Sequence, residues 1–246
     1  MNRYGKNLLY GYAWKLALRT SHLGDEEFLR AAYSSPVSIS DVHSDRRRFW
    51  EELGEFSEMR QAIEKHNNVI HADYDQLILG TTIWLPLLYC LVRIKRPKIV
   101  IETGCATGTT ASLILYALER NGSGHLHTID LRNPTDWISR EGLATGFLVP
   151  ERLKARWSLT LKDAKVALPE LLSQLGTVDL FYHDSDHSYI HQMWELLTAW
   201  PYLTTSGLLA SDDLADNTAL FDLARQVPSN LRVTSRQHNF GFIVKA

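Results

Sequence analysis

The sequence predicts an α/β fold, with a mostly parallel sheet of seven strands, a last strand running antiparallel and an N-terminal helical extension in front. Three observations lead there. From Lys98 onward, short β-branched and apolar runs alternate with amphipathic stretches of helical period, the pattern of strands joined by crossover helices. The segment KIVIETGCATG, Lys98–Gly108, reads as a strand, a glycine turn and the start of a helix. The last two strand-like runs, Leu231–Thr234 and Phe240–Val244, are joined by a connection too short for a parallel crossover, so they must pair antiparallel.

Residues 1–72 form the extension and residues 73–246 the sheet domain. The extension is rich in Arg, Glu, His and aromatics, with helical period in Tyr10–Leu18 and Arg46–Lys65 and a cap at Ser44 or Asp45. Its aromatics Tyr10, Tyr12, Trp14, Tyr33 and Trp50 suit a lid or a contact between copies of the chain equally well. Asp73–Arg93 reads as a helix leading into the first strand, kinked at Pro86, with Trp84 as core packing. The strand Lys98–Ile101 is followed by a helix over Ala111–Arg120, and His125–Leu131 is the second strand. Arg156–Leu161 is the third, followed by a helix over Ala164–Leu175. Val178–His183 is the fourth, with a helix over Tyr189–Tyr202, and Gly207–Ser211 is the fifth, with a helix over Asn217–Gln226.

At 246 residues the chain accommodates one large α/β domain with an appendage. A net charge of −2 gives no basic surface of the kind that binds nucleic acid. The longest apolar stretch, Ile83–Ile94, is too short to span a membrane. Cys90 and Cys105 have neither disulfide nor zinc spacing, and Leu8–Leu18 lacks a cleavage site, so a cytoplasmic setting is expected.

A glycine turn at a helix N-terminus lets backbone N–H groups approach a ligand such as a nucleotide. Dinucleotide folds carry G-x-G-x-x-G there, whereas this chain has Gly104-x-Ala106-x-Gly108 with Glu102 two residues earlier. Ligands of open α/β sheets bind beyond the carboxyl ends of the strands. Those ends carry acids repeatedly: Glu102, Asp130, Asp163, Asp184 with Asp186, and Asp212 with Asp213. A single such acid is as often a turn former or cap as a ligand. Clustered carboxylates, however, repel one another unless a cation or donors sit among them. Asp130 is placed to accept the ribose hydroxyls of an adenosine. Asp163 suits both the adenine edge and an N-cap on the next helix. Asp184, Asp212 and Asp213 offer hard oxygen ligands for an octahedral divalent ion, Mg²⁺ first, that would bind and acidify an acceptor hydroxyl. His187 would take the proton; alternatively Asp186, His187 and Ser188 cap the next helix. His183 and His191 are expected to be structural.

From about Tyr74 to the C-terminus the chain resembles the class I S-adenosylmethionine (SAM) methyltransferases of the methyltransferase 24 type. In layout these are similar to the catechol, caffeoyl-CoA and macrolide-sugar O-methyltransferases. The residues carrying the resemblance are IETGCATGT (Ile101–Thr109), HTIDL (His127–Leu131), GFLVPERLKARW (Gly146–Trp157), KDAKVALPEL (Lys162–Leu171), FYHDSDHSY (Phe181–Tyr189) and LLASDD (Leu208–Asp213). It implies a Rossmann-like methyltransferase sheet, with Glu102, Gly104, Ala106, Gly108 and Thr109 in the SAM loop and Asp130 as the ribose acid. Asp163 and Asp184 complete the cofactor set. Asp184, Asp212 and Asp213 fall where the metal-dependent members hold their cation. Two positions depart from the catechol and caffeoyl-CoA pattern: His187 stands where those enzymes have lysine, and Asp213 where they have Asn, although the sugar enzymes carry an Asp pair.

The reading that follows is Mg²⁺-assisted O-methylation of a small molecule such as a secondary metabolite, sugar or phenol, with Asp184 and His187 as the catalytic residues. The extension and Asn133–Val149 would cover the acceptor, and the extension would support a homodimer or higher oligomer. The alternatives are metal-independent N- or O-methylation and a non-catalytic SAM-binding scaffold. An NAD-dependent oxidoreductase is disfavoured by Ala106 and the missing third glycine.

Overall fold

In a computed structural model the described residues are 22–23, 25–66, 85–131, 143–214, 216–234 and 240–246. Within the extension lie β1 (His22–Leu23), α1 (Asp25–Arg30), α2 (Ile39–Gly54) and α3 (Ser57–Lys65). There follow α4 (Leu85–Lys95), β2 (Ile99–Thr103), α5 (Thr109–Asn121), β3 (His125–Asp130), β4 (Trp157–Leu161) and α6 (Ala164–Leu175). The chain continues with β5 (Val178–His183), α7 (Tyr189–Ala199), β6 (Leu203–Ser211), α8 (Ala219–Gln226), β7 (Ser229–Thr234) and β8 (Gly241–Lys245).

The strands form one sheet in the order β1-β7-β8-β6-β5-β2-β3-β4. Pairing is parallel except where β8 runs antiparallel between β6 and β7. All seven expected strands are present, and His22–Leu23 adds a short eighth at the edge beside β7. A two-residue strand has no room for an alternating pattern, so nothing local announces it. From β2 the chain moves outward through β3 and β4, then returns to place β5 on the other side of β2. This reversal is the topological switch point at which open α/β sheets bind ligands.

Helices cover both faces of the sheet because its central strands are buried on both sides, as in β2, where Val100 and Ile101 are both fully buried. One face packs on α6, α7 and α8 through Leu168, Leu172, Leu196, Leu220 and Leu223. The other packs on α4 and α5, and α1 to α3 belong to that same core: Phe28, Phe49, Leu53, Met59 and Ile63 are buried in it. Phe28 meets the Phe242 ring edge-on at 4.9 Å. Glu52 of α2 takes a bidentate pair from Arg93 of α4, at 2.8 and 2.9 Å, and the Tyr89 hydroxyl at 2.9 Å. Arg152 bridges Glu58 of α3 and Glu119 of α5.

Several boundaries differ from the sequence reading. α7 ends at Ala199 and a 3-10 turn carries Trp200–Tyr202, because Pro201 cannot donate to an α-helical ladder. β6 starts at Leu203 rather than Gly207, and Ser206 takes a left-handed φ of 63° where the register of β5 and β6 shifts. The described part of α4 begins at Leu85, so the expected kink at Pro86 falls at the edge of the described residues. Tyr10, Tyr12, Trp14, Trp84 and most of Asn133–Val149 lie outside the described residues. Tyr33 donates to Asp45 at 2.7 Å and packs against the core shared with the sheet, and Trp50 lies under the Arg46 guanidinium.

Candidate active site at the switch point

Strand register assembles the site. Thr103 of β2 is level with Ile129 of β3 and His183 of β5, and His183 is level with Ser211 of β6. The next residue on each strand is therefore part of one row: Asp130, Gly104, Asp184 and Asp212.

The glycine turn is shaped by what packs on it. Gly104, Ala106 and Gly108 have φ of 86°, 45° and 89°. A Cβ on Gly104 would overlap the carbonyl of Asp184, whose N–H donates to the Thr103 carbonyl at 2.8 Å. A Cβ on Gly108 would come within 2.8 Å of Gly146 Cα. Gly146 N–H donates to the Ala106 carbonyl and Leu148 N–H to that of Thr107, both at 2.9 Å, so the segment after residue 143 is stitched to the turn. The glycines thus admit two neighbouring backbones, a reason that the motif alone does not reveal. Ala106 bears the left-handed strain without a glycine's relief. Thr109 opens α5 and its hydroxyl lies 2.9 Å from that of Thr107.

Asp130 sits beside the turn. One carboxylate oxygen accepts the N–H groups of Cys105 and Ala106, both at 2.9 Å, and the other accepts Leu131 N–H at 2.6 Å. Glu102 is fully buried, and burial pushes its carboxyl up to about 8. The Thr128 hydroxyl donates to it at 2.8 Å and in turn accepts the Trp157 indole N–H at 2.8 Å. Asp163 caps α6 by accepting Lys165 N–H at 2.8 Å.

At the other side of the row, acids converge. Donor atoms of Asp184, His187 and Asp212 all lie within 4.8 Å of one another. Burial, reinforced by the Asp213 charge, raises Asp184 to about 7; burial and the Asp184 charge raise Asp212 well above the usual carboxylate range. Among the described residues, buried Asp212 Oδ1 has no hydrogen-bond partner. Asp213 has a left-handed φ of 45° and places Oδ2 3.4 Å from His187 Nε2, which is 4.0 Å from Asp184 Oδ1. Burial and neighbouring His183 push His187 below its ordinary pKa, favouring neutral imidazole. Capping falls to its neighbours: Asp186 accepts Ser188 N–H and Ser188 accepts His191 N–H. The His187 carbonyl is held by Asn217 Nδ2 at 2.7 Å.

Residues 101–214 match the family model described as Methyltransferase domain, of the methyltransferase 24 type. That segment, rather less than half of the chain, is similar to a methyltransferase domain. No curated protein matches its sequence. Among solved structures, the chain is similar to the SAH-bound Podospora anserina methyltransferase PaMTH1, with TM-score 0.58, 14% identity and coverage of 87% of this chain and 99% of that one. It is similar also to a methyltransferase from Geobacter sulfurreducens, with TM-score 0.55, 18% identity and coverage of 76% and 90%. A third is the SAH-complexed O-methyltransferase from Bacillus cereus, with TM-score 0.50, 15% identity and coverage of 76% and 89%. At these identities the likeness is one of fold. It matches the layout derived above, a parallel sheet closed by an antiparallel β8. Among the described residues no helix is long and apolar enough to cross a membrane.

Two residues of the candidate site escaped the sequence reading. Gly146 stood in a quoted motif without a role. Glu195, on α7, accepts hydrogen bonds from both His183 and His191, and its one visible signal was its place four residues after His191.

Proposed function

We propose that the protein transfers the SAM methyl group to an oxygen of a small-molecule acceptor, with a divalent cation at Asp184 and Asp212. The observation that carries this reading is the adjacent carboxylates of buried Asp212 and half-buried Asp184, with one Asp212 oxygen lacking a partner among the described residues and His187 and Asp213 beside them. Buried like charges are costly unless a cation compensates them. The donor set at Asp184 and Asp212, hard carboxylate oxygens, fits Mg²⁺ or Mn²⁺. The SAM loop would be formed by Glu102, Gly104, Ala106, Gly108 and Thr109, beside Asp130.

A bound cation supplies Lewis acidity that lowers the pKa of an acceptor hydroxyl. His187, neutral near pH 7, takes the hydroxyl proton at Nε2, and the Asp213 carboxylate 3.4 Å away stabilises the imidazolium that results. Asp184 stands against the turn through its main chain, so the hydroxyl and the sulfonium methyl would meet across Gly104 in a fixed geometry. The test is methyl transfer from labelled SAM to a panel of phenols, catechols and sugars, with EDTA and with Mg²⁺ restored. Activity lost to EDTA and recovered with Mg²⁺ supports the reading. Transfer indifferent to EDTA would remove the cation from it.

A further inference from the structure

The side chain of Glu195 is fully buried beneath the site, and none of the steps above uses it. Its carboxylate accepts four hydrogen bonds: Thr103 Oγ1 and His183 Nδ1 at 2.6 Å, His191 Nε2 at 2.9 Å and Ser185 Oγ at 3.0 Å. These donors are not scattered. Thr103 ends β2 immediately before Gly104, while His183 and Ser185 flank Asp184. One carboxylate therefore fastens the start of the glycine turn to both neighbours of a proposed cation ligand.

His183 adds a second observation. It is fully buried, and its Nε2 has no hydrogen-bond partner among the described residues. Its ring stands perpendicular to that of His187 with centroids 5.3 Å apart. Glu195, by bonding Nδ1, fixes the plane of the ring against which His187 rests. An apolar residue would fill the space under the sheet at lower desolvation cost, so an ionised carboxylate with four donors points to a geometric duty.

We propose that Glu195 is a positioning residue: through Thr103, His183 and Ser185 it holds the loop that presents Asp184 and His187 against the glycine turn. The inference rests on the cation reading of Asp184 and Asp212. Glu195 touches neither ligand and acts through the residues beside them, as outer partners of metal ligands do.

The experiment titrates Mn²⁺ into the full chain, followed by electron paramagnetic resonance, with SAH affinity by calorimetry and melting by circular dichroism. Glu195→Gln replaces one acceptor oxygen by a donor facing other donors, and its Mn²⁺ affinity should fall about tenfold or more. Ser185→Ala removes one of the four bonds and should weaken Mn²⁺ about threefold, the scale of a single hydrogen bond. Phe28→Ala, remote in the core, should melt earlier with Mn²⁺ affinity intact, which separates positioning from general destabilisation. If Glu195→Gln does not fold, Ser185→Ala decides. Variants that bind Mn²⁺ as the wild type does overturn the inference alone, whereas a wild-type chain that binds no Mn²⁺ overturns the cation site and the inference with it.

Discussion

The main chain of Asp184 rests directly on Gly104: its N–H donates to Thr103 at 2.8 Å and its carbonyl fills the space of the missing Cβ. A methyl group there cannot be absorbed by a flexible side chain, and φ of 86° is strained for any L residue. Gly104→Ala should therefore separate the two halves of the site. SAH affinity by calorimetry should fall about tenfold or more, about 1.4 kcal/mol, and Mn²⁺ affinity should fall with it. Binding of both at wild-type strength would show that the contact is incidental.

Asp130 holds the turn by accepting the Cys105 and Ala106 N–H groups. Asp130→Ala leaves those donors unpaired and removes the proposed ribose partner. Two effects are expected together: SAH binding weaker by about tenfold, and a loss of about 1–3 kcal/mol in urea unfolding. Asp130→Asn keeps one acceptor oxygen and should recover most of the stability.

Removing one acid from the cation cluster should have opposite effects on stability and on binding. Asp184→Asn or Asp212→Asn relieves repulsion between the half-buried and the buried carboxylate. The metal-free variant should melt about 2–4 °C higher for each kcal/mol relieved, while Mn²⁺ binding disappears. Lower melting together with intact Mn²⁺ binding would mean that the acids are structural.

Glu195 gives a pH signature. Its four donors outweigh burial and hold the carboxyl at about 2, below its ordinary 4.5. A depressed carboxylate stabilises the fold fully above pH 4.5 and gives that stability up as pH falls toward 2, about 3 kcal/mol in all. His191 works the other way. Its bond to Glu195 raises its pKa, so its contribution is full below pH 6.5 and is lost as pH rises through the raised value. Urea midpoints measured from pH 2 to 7 should converge between wild type and Glu195→Gln at the acid end. Parallel curves would contradict this.

Phe28 tests whether the extension shares the core. It is fully buried against Phe240 and Phe242. Phe28→Ala should cost about 3–5 kcal/mol in one cooperative transition. A separate early transition would mean that the extension melts by itself.

Much of this was legible in the chain. α6 and β5 have the bounds read from periodicity, since each is a long patterned segment with turn residues at both ends. The acids at the ends of β2, β3, β5 and β6 could be read because each closes a largely apolar strand. The end of α7 was misplaced because apolar spacing continues through Trp200–Tyr202 while Pro201 changes the hydrogen bonding. The start of β6 was missed because polar Thr204, Thr205 and Ser206 interrupt its pattern before Gly207.

By itself the sequence determined which residues end the strands, the glycine turn between them and the resemblance they carry. Only the tertiary structure decided who meets whom. Strand register brought Asp130, Gly104, Asp184 and Asp212 level, although they come from four separate strands. It also decided that Gly104 and Gly108 make room for the backbones of Asp184 and Gly146, and that Glu195 binds the ends of β2 and β5 together. Local pattern records whether a residue faces core or solvent. Contacts between distant segments depend on strand order and register, which are properties of the folded sheet.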